Sequence, residues 1–233
     1  MKRFLWMSVV LLGVGFAPLA QGEESHKTAF PPLVAHYELT EMEKEDRREL
    51  RKYSWYLLRS PGKLEIRDGK STVGELWERQ PDGQIYFTKL FHNHKRAIDY
   101  YYGDLMALKQ KVDWGKINRM VDSNILEQAP VSGKKTKVKG APAIILKTEK
   151  DGVKTEILWL PEKQIPARMI QHFPKRTVSI DLLETWPLEE APVSHSKKGD
   201  YKHTDFSDIG DLEADPFFRQ LAHQNTAHDL PRH

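Results

Sequence analysis

Residues 154–187, KTEILWLPEKQIPARMIQHFPKRTVSIDLLETWP, decide the fold that this sequence predicts. Ile157 and Trp159 alternate with Glu156 and Leu158, as in a strand with one buried face. Strand-forming β-branched and aromatic residues recur through the stretch, and its prolines lie only at turns or strand starts. The stretch therefore predicts three consecutive antiparallel strands.

More strands are predicted on the N-terminal side of this stretch. Turn signals separate five alternating segments, residues 33–39, 63–67, 73–79, 84–92 and 96–102. Residues 41–49 are ambiguous, because Glu43 and Arg47 have the i,i+4 spacing of a helix. The alternation that resumes in residues 51–58 favours a β-hairpin with a charged tip.

A helical insert, residues 104–121, lies between the two runs of strands. Helical spacing covers residues 104–109 and again 114–121, and Asp113 is a suitable N-cap for the second helix. Such an insert predicts a cap over one face or end of the sheet. The whole sheet domain is predicted to span residues 33–188.

The first 22 residues have the features of a secretory signal peptide. Lys2 and Arg3 precede an apolar run too short to span a bilayer, and Ala20-Gln21-Gly22 has the small residues of a cleavage site. We expect Glu23 to become the mature N-terminus, followed by a flexible leader in residues 23–32. The signal predicts export to the periplasm.

Composition narrows the classes of protein further. The chain has no cysteine, so it forms no disulfide and offers no thioether site for a lipid anchor. Its formal net charge of +3 falls to +1 when Lys2 and Arg3 leave with the signal. Mixed charges of this kind are typical of a solvated surface and do not indicate nucleic-acid binding. After signal cleavage, no apolar segment approaches the ~20 residues of a membrane helix.

Residues 189–233 are predicted to form a polar linker, a short helix and a disordered tail. The apolar residues of the helix are Phe217, Phe218 and Leu221. A helix this short is stable only when such residues are packed. It can pack on its own domain or on another protein, and the polar linker, residues 189–200, favours another protein.

An acidic segment before this helix adds Asp208 and Asp211 as candidates for docking a partner. Asp205, Asp208 and Asp211 do not form a calcium loop, which needs alternate ligands around a glycine. His92 and His94 have a chelating i,i+2 spacing, but they fall at a predicted turn without a third ligand. With no catalytic motif either, we predict a non-enzymatic protein with no cofactor and no metal.

Aromatic residues on the predicted strands are candidates for lining a ligand cavity. These candidates are Trp55, Trp77, Phe87, Trp159 and Trp186. They fit the ordinary core of a sheet packed against helices, and they fit equally the lining of a half-open barrel. The residues alone leave both interpretations open.

Two segments resemble the periplasmic lipoprotein-carrier superfamily, which has the LolA/LolB-like fold. Residues 58–66, LRSPGKLEI, are similar to its early strand, with a basic residue before Pro-Gly and an alternating strand after it. Residues 156–168, EILWLPEKQIPAR, are similar to a later segment in which a strand ends in a proline-containing turn and an apolar-Pro-x-Arg step follows. The resemblance implies an α+β fold, a curved antiparallel sheet or incomplete barrel whose capping helices shelter an acyl chain or another apolar ligand.

The leading hypothesis is therefore a periplasmic carrier that holds an apolar or acyl ligand between the sheet and residues 104–121. The alternative is an adaptor or assembly factor. It would dock a periplasmic or outer-membrane protein through its acidic C-terminal segment and helix.

Overall fold

Strand pairing organises the computed structural model, which describes residues 30–70, 72–127, 134–212 and 214–224. The strands in these residues are β1 Leu33–Glu43, β2 Glu49–Ser60, β3 Lys63–Asp68, β4 Val73–Arg79, β5 Ile85–Phe91, β6 Arg96–Tyr100, β7 Lys134–Val138, β8 Ala141–Lys150, β9 Val153–Leu160, β10 Ile165–His172, β11 Arg176–Trp186 and β12 Lys202–Asp205. They form one curved, open sheet in the order β12-β6-β5-β4-β3-β2-β1-β11-β10-β9-β8-β7. Neighbouring strands are antiparallel except β12 and β6, so the predicted antiparallel sheet is confirmed.

The two local predictions that define the middle of the sheet are confirmed. β9, β10 and β11 follow one another as antiparallel neighbours. β1 and β2 form the hairpin that was preferred over a helix, and its charged turn covers residues 44–48. β1 also pairs with β11, which joins the two halves of the chain.

Four short α-helices and three 3-10 turns accompany the sheet in the described residues. The helices are α1 Tyr102–Ala107, α2 Trp114–Arg119, α3 Ser123–Glu127 and α4 Pro216–Gln224, and the 3-10 turns are His92–His94, Lys198–Asp200 and Phe206–Leu212. Asp113 caps α2, because its Oδ1 accepts a hydrogen bond from the Lys116 backbone N–H at 3.0 Å. The helix ends before Met120, whose φ of 60° is left-handed. α1 begins at Tyr102 rather than at Asp104, because the Asp104 carboxylate accepts from the Tyr101 N–H.

The two faces of the sheet have different coverings. The inner face, which includes Tyr37, Trp55 and Trp77, packs against residues of α1, α2 and α4 in the main core. The outer face, which includes Leu76 and Leu90, carries a smaller cluster against Tyr201. Charged residues occupy much of the remaining outer surface, as expected for a sheet that packs on the core through one face.

Several expectations concern residues outside the described ones. These are the signal peptide in residues 1–22, most of the leader in residues 23–32, and the tail beyond residue 224. Among the described helices, none has the length and apolar character needed to cross a bilayer.

Candidate binding site on the inner face of the sheet

Aromatic side chains form the first row of the inner face. Strand register places Trp77, Phe87 and Tyr100 side by side on β4, β5 and β6. Trp77 and Phe87 stack with ring centroids 4.2 Å apart. Tyr37 and Trp55 stack in the same way on β1 and β2, at 4.8 Å. All five are buried. The two aromatic groups lie on either side of the row of Leu57 and Ile66, because Trp55 pairs with Asp68 whereas Trp77 pairs with Leu64.

A charged pair interrupts the next row of the same face. Glu75 on β4 lies opposite Lys89 on β5, with Ile66 and Ile98 as the next residues along the row. Lys89 is 7% exposed, and Glu75 is half-buried. Burial raises the pKa of Glu75 to about 7, while the charge of Lys89 and a hydrogen bond with Trp77 act against the rise. This row of the inner face therefore contains two charged side chains, Glu75 and Lys89, between apolar neighbours.

Two polar atoms on β2 lie on the same face without a hydrogen-bond partner. The Trp55 indole nitrogen and the Tyr53 hydroxyl are buried, and neither has a partner in the described parts of the chain. Trp55 and Tyr53 are two positions apart on one strand, so they share a face. Since most buried side-chain donors are paired with protein or water, these two atoms can bind a polar group of a ligand. We call Tyr53, Trp55, Ile66, Glu75 and Lys89 the inner site.

Arg59, on the same face of β2 as Trp55, connects this strand to the helical insert. Its side chain is fully buried and donates hydrogen bonds to the carbonyls of Pro31 at 2.9 Å, Asn118 at 2.9 Å, Gln164 at 3.1 Å and Lys163. Burial lowers its pKa to about 10. A single guanidinium thus joins β2 to the end of α2 and to the β9–β10 turn.

Sequence reasoning missed the charged residues of the inner face. Arg59, Glu75 and Lys89 occupy the positions that period-two alternation assigns to the same side as Trp55, Trp77 and Phe87. A charged residue at a position predicted to be buried could have revealed them in the sequence, because a charge on a buried strand face needs a partner.

The structure brings together four of the five aromatic residues predicted to line a cavity. Trp55, Trp77, Phe87 and Trp159 all belong to the core on the inner face. Trp186 does not join them, because it pairs with Val34 on the outer face.

A β-bulge explains the position of Trp186. The register between β1 and β11 shifts at His36/Tyr37, and Leu183 has no partner residue on β1. One extra residue moves every following side chain to the opposite face. The expectation that Trp186 lines the same surface as Trp55 is therefore corrected.

The C-terminal helix docks on its own sheet. Phe218 is 5% exposed and belongs to the inner core, and the Phe217 ring lies 5.1 Å from Phe91 in an edge-on contact. Leu221 also packs against this core. The Arg96 guanidinium pairs with Asp215 at 2.8 Å. The prediction that these apolar residues dock on another protein is therefore wrong. The other two candidates for docking a partner, Asp208 and Asp211, are exposed.

The polar linker, residues 189–200, does not hold α4 away from the sheet. Its own contacts with the sheet explain why α4 docks there. Its Ser196 donates a backbone and a hydroxyl hydrogen bond to the Glu65 carboxylate, at 2.7 and 2.8 Å. Arg67 donates to the Ser194 carbonyl at 2.9 Å. The linker is held on the outer face, and β12 then pairs with β6 and brings α4 back to the sheet.

Buried Glu65 is the centre of this contact. Burial of its carboxyl opposes ionisation, but His195, Arg67 and the Ser196 N–H outweigh that effect and lower its pKa to about 2. Its side chain has no solvent exposure. The carboxylate therefore has its charge balanced by partners from β3 and from the linker.

His92 and His94 each contact an aromatic side chain of the C-terminal part of the chain. His92 Nδ1 lies 2.7 Å from the Tyr201 hydroxyl, and the His94 ring packs against Phe217. In the parts of the chain that the structure describes, no group of three or more His, Asp or Glu residues is placed to hold a metal ion.

Comparisons with known proteins show only distant similarity. No protein-family model and no curated protein matches the chain. Among solved structures, it is similar to PNGF-II with 9% identity over 78% of this chain and 34% of that one, at a TM-score of 0.40. The chain thus spans about a third of the length of PNGF-II.

Two further similar structures come from bacteria. One is a putative outer membrane lipoprotein-sorting protein domain from Vibrio parahaemolyticus, with 10% identity over 72% of this chain and 88% of that one, at a TM-score of 0.29. The other is in the Pseudomonas aeruginosa MucA/MucB complex, with 10% identity over 72% and 56%, at a TM-score of 0.32. These values describe a weak likeness of fold.

Proposed function

We propose that this chain is a non-enzymatic periplasmic binding protein. It holds an elongated, mostly apolar, lipid-like ligand at the inner site, between the sheet and the helices. The Trp55 indole N–H carries the proposal, because it is a fully buried donor beside the Tyr37 ring and the described parts of the chain supply no partner for it. A buried polar group without a hydrogen bond is costly, and a ligand oxygen would remove that cost.

The surroundings of Trp55 suit the apolar part of such a ligand. Leu57 and Ile66 form the adjoining row, and the next row beyond it contains Leu64, Trp77 and Phe87. Sites for lipid-like ligands combine a large apolar lining with a few placed polar groups. The predicted signal peptide in residues 1–22 would deliver the protein to a compartment between membranes, where an apolar ligand needs a carrier.

Lipid extraction from the exported, purified protein tests this function. We expect mass spectrometry to find a co-purifying amphiphile, and a fluorescent fatty acid or fatty alcohol to bind the delipidated protein. Trp55→Phe removes the N–H and should weaken this binding several-fold. Trp186→Phe is the matched control on the outer face and should leave it unchanged.

Two results would contradict the proposal. One is a protein that carries no amphiphile and takes up neither probe. The other is equal binding by the wild type and both tryptophan variants, which would show that the inner site is not the place of binding.

A protein-docking role is a second candidate, and an exposed apolar surface formed by α1 and its N-cap Tyr101 favours it. Tyr101, Tyr102 and Met106 are 45%, 47% and 52% exposed, and the Tyr101 hydroxyl contacts Asp205 at 3.3 Å, at the start of the acidic segment. If this surface binds a protein, Tyr102→Ser combined with Met106→Ser should abolish co-purification of that protein while ligand binding persists. Leu50→Ser, at a similarly exposed residue on β2, is the control.

A further inference from the structure

The charged pair of the inner site, Glu75 and Lys89, indicates which chemical class of ligand binds there. We propose that the ligand is an acidic amphiphile, an acyl chain with an anionic carboxylate or phosphate head, and that Lys89 binds the head. This inference rests on the proposed function, because it names the ligand of the same site. β3 and β4 lie between Trp55 on β2 and Lys89 on β5, so the head at Lys89 and the oxygen bound by Trp55 are different polar groups of one elongated ligand.

Lys89 is placed to receive a head group within an apolar surface. Its ammonium lies 5.8 Å from the centre of the Phe91 ring, and its strand neighbours on the inner face are Glu75 and Ile98. Tyr53, Ile66 and Glu75 are half-buried, whereas Trp55 and Lys89 are buried. Solvent therefore reaches one side of the inner site, and a ligand can approach Lys89 from that side.

Three other cations of this face have partners that a ligand would have to displace, and the first of them, Arg51, pairs with Glu41 at 3.3 Å. Arg59 is surrounded by backbone carbonyls, and Arg96 pairs with Asp215 of α4. Lys89 is opposed by Glu75, a carboxyl group whose surroundings favour its protonated form. An anionic head can replace Glu75 as the counter-ion of Lys89, and Glu75 then takes up a proton from solvent. Charge-assisted hydrogen bonds are the strongest of the polar contacts available in such a site.

Three probes with the same pyrene-labelled long chain test the inference. They are a fatty acid, an alkyl phosphate and a fatty alcohol, each titrated into the delipidated, purified protein. We expect the wild type to bind at least one of the two acids about tenfold more tightly than the alcohol, a difference of about 1.4 kcal/mol. Comparison of the fatty acid with the phosphate shows which head is preferred.

Lys89→Met should remove this preference by weakening the acids and leaving the alcohol unchanged. Lys147→Met is the control, because Lys147 forms an exposed cross-strand pair with Glu156 at 3.1 Å. Glu75→Gln keeps Lys89 and removes the competing carboxylate, so it should tighten the acids several-fold without affecting the alcohol. If Lys89→Met does not fold, Glu75→Gln still tests whether the site binds an acidic head group.

The outcomes separate the two proposals. If the wild type binds none of the probes, the proposed function fails and this inference fails with it. If it binds acids and alcohol equally, or if Lys89→Met retains the preference, the binding function stands and the inference is overturned. An unchanged affinity for acids in Glu75→Gln also overturns it.

Discussion

Glu65 and Arg59 are two buried charges on opposite faces of the sheet, and each has partners from distant parts of the chain. Glu65 is held by Arg67 and by the linker residues His195 and Ser196. Arg59 is held by backbone carbonyls. Removing one partner leaves the remaining polar or charged group buried and unpaired. This lowers the free energy of unfolding by more than the contact itself contributes. Each charge therefore determines where a segment without regular structure lies.

Glu65→Gln should lower the free energy of unfolding at neutral pH by about 3 kcal/mol. The folded protein holds the pKa of Glu65 at about 2, below its ordinary value of 4.5. Its ionisation therefore stabilises the fold above pH 4.5, and this stabilisation is lost as the pH falls towards 2. Urea unfolding at a series of pH values should show the difference between wild type and variant shrinking over that range.

Glu156→Gln is the control for this measurement, because Glu156 forms an exposed pair. It should change stability by less than about 0.5 kcal/mol at any pH. A Glu65→Gln variant as stable as the wild type at neutral pH would contradict the role of the carboxylate.

Trp159→Ala should lower the free energy of unfolding by about 3–5 kcal/mol, as large aromatic truncations in a core do. Trp159 is 6% exposed and belongs to the inner core. Leu183→Ala removes an exposed side chain on β11 and should cost less than about 0.5 kcal/mol. Chemical denaturation measures both, and a loss below about 1 kcal/mol for Trp159→Ala would contradict its assignment to the core.

At the scale of elements, α4 is stabilised by tertiary contacts. A helix of nine residues gains few backbone hydrogen bonds for its nucleation cost. Phe218 supplies the missing stabilisation from the core, and Asp215 caps the helix through the Phe217 N–H at 2.9 Å while it pairs with Arg96. β12 and the linker bring the helix to that position.

Phe218→Ala should destabilise the domain by about 3 kcal/mol or more, because it empties a core position. Truncation after Asp211 should lower the unfolding midpoint and increase the binding of a dye specific for exposed apolar surface. Arg219→Ala, at an exposed position of the same helix, is expected to be neutral. Truncation without loss of stability would show that α4 does not contribute to the domain.

At the scale of the molecule, an open sheet has edges that need protection. In the described residues, β7 is the last strand of the sheet and pairs with β8 alone. Its Lys134, Lys135 and Lys137 are exposed, and lysines on an edge strand oppose pairing with another copy of the chain.

Lys135→Val combined with Lys137→Val should therefore promote self-association. Multi-angle light scattering should show larger species whose proportion rises with protein concentration. The matched control replaces Lys147 and Lys154 with Val, because these exposed lysines lie on strands that already have two neighbours. Equal behaviour of the two double variants would mean that surface charge in general, and not the edge, keeps the chain apart.

The sequence by itself determined the elements whose signals are local. Alternation in residues 154–187 specifies β9 to β11, and Asp113 specifies the start of α2, because a strand pattern and an N-cap each depend on a few neighbouring residues. The aromatic residues of the inner face could be named for the same reason.

Only the tertiary structure decided the position of Trp186, the docking of α4 and the pairing of Glu75 with Lys89. Trp186 changes face through a bulge set by pairing with β1, and the linker is held by Glu65, more than a hundred residues away in sequence. Alternation predicts which positions share a face, but strand order decides which residues become neighbours. Contacts between distant residues leave no periodic signal in a single sequence, so these features depend on how the whole sheet assembles.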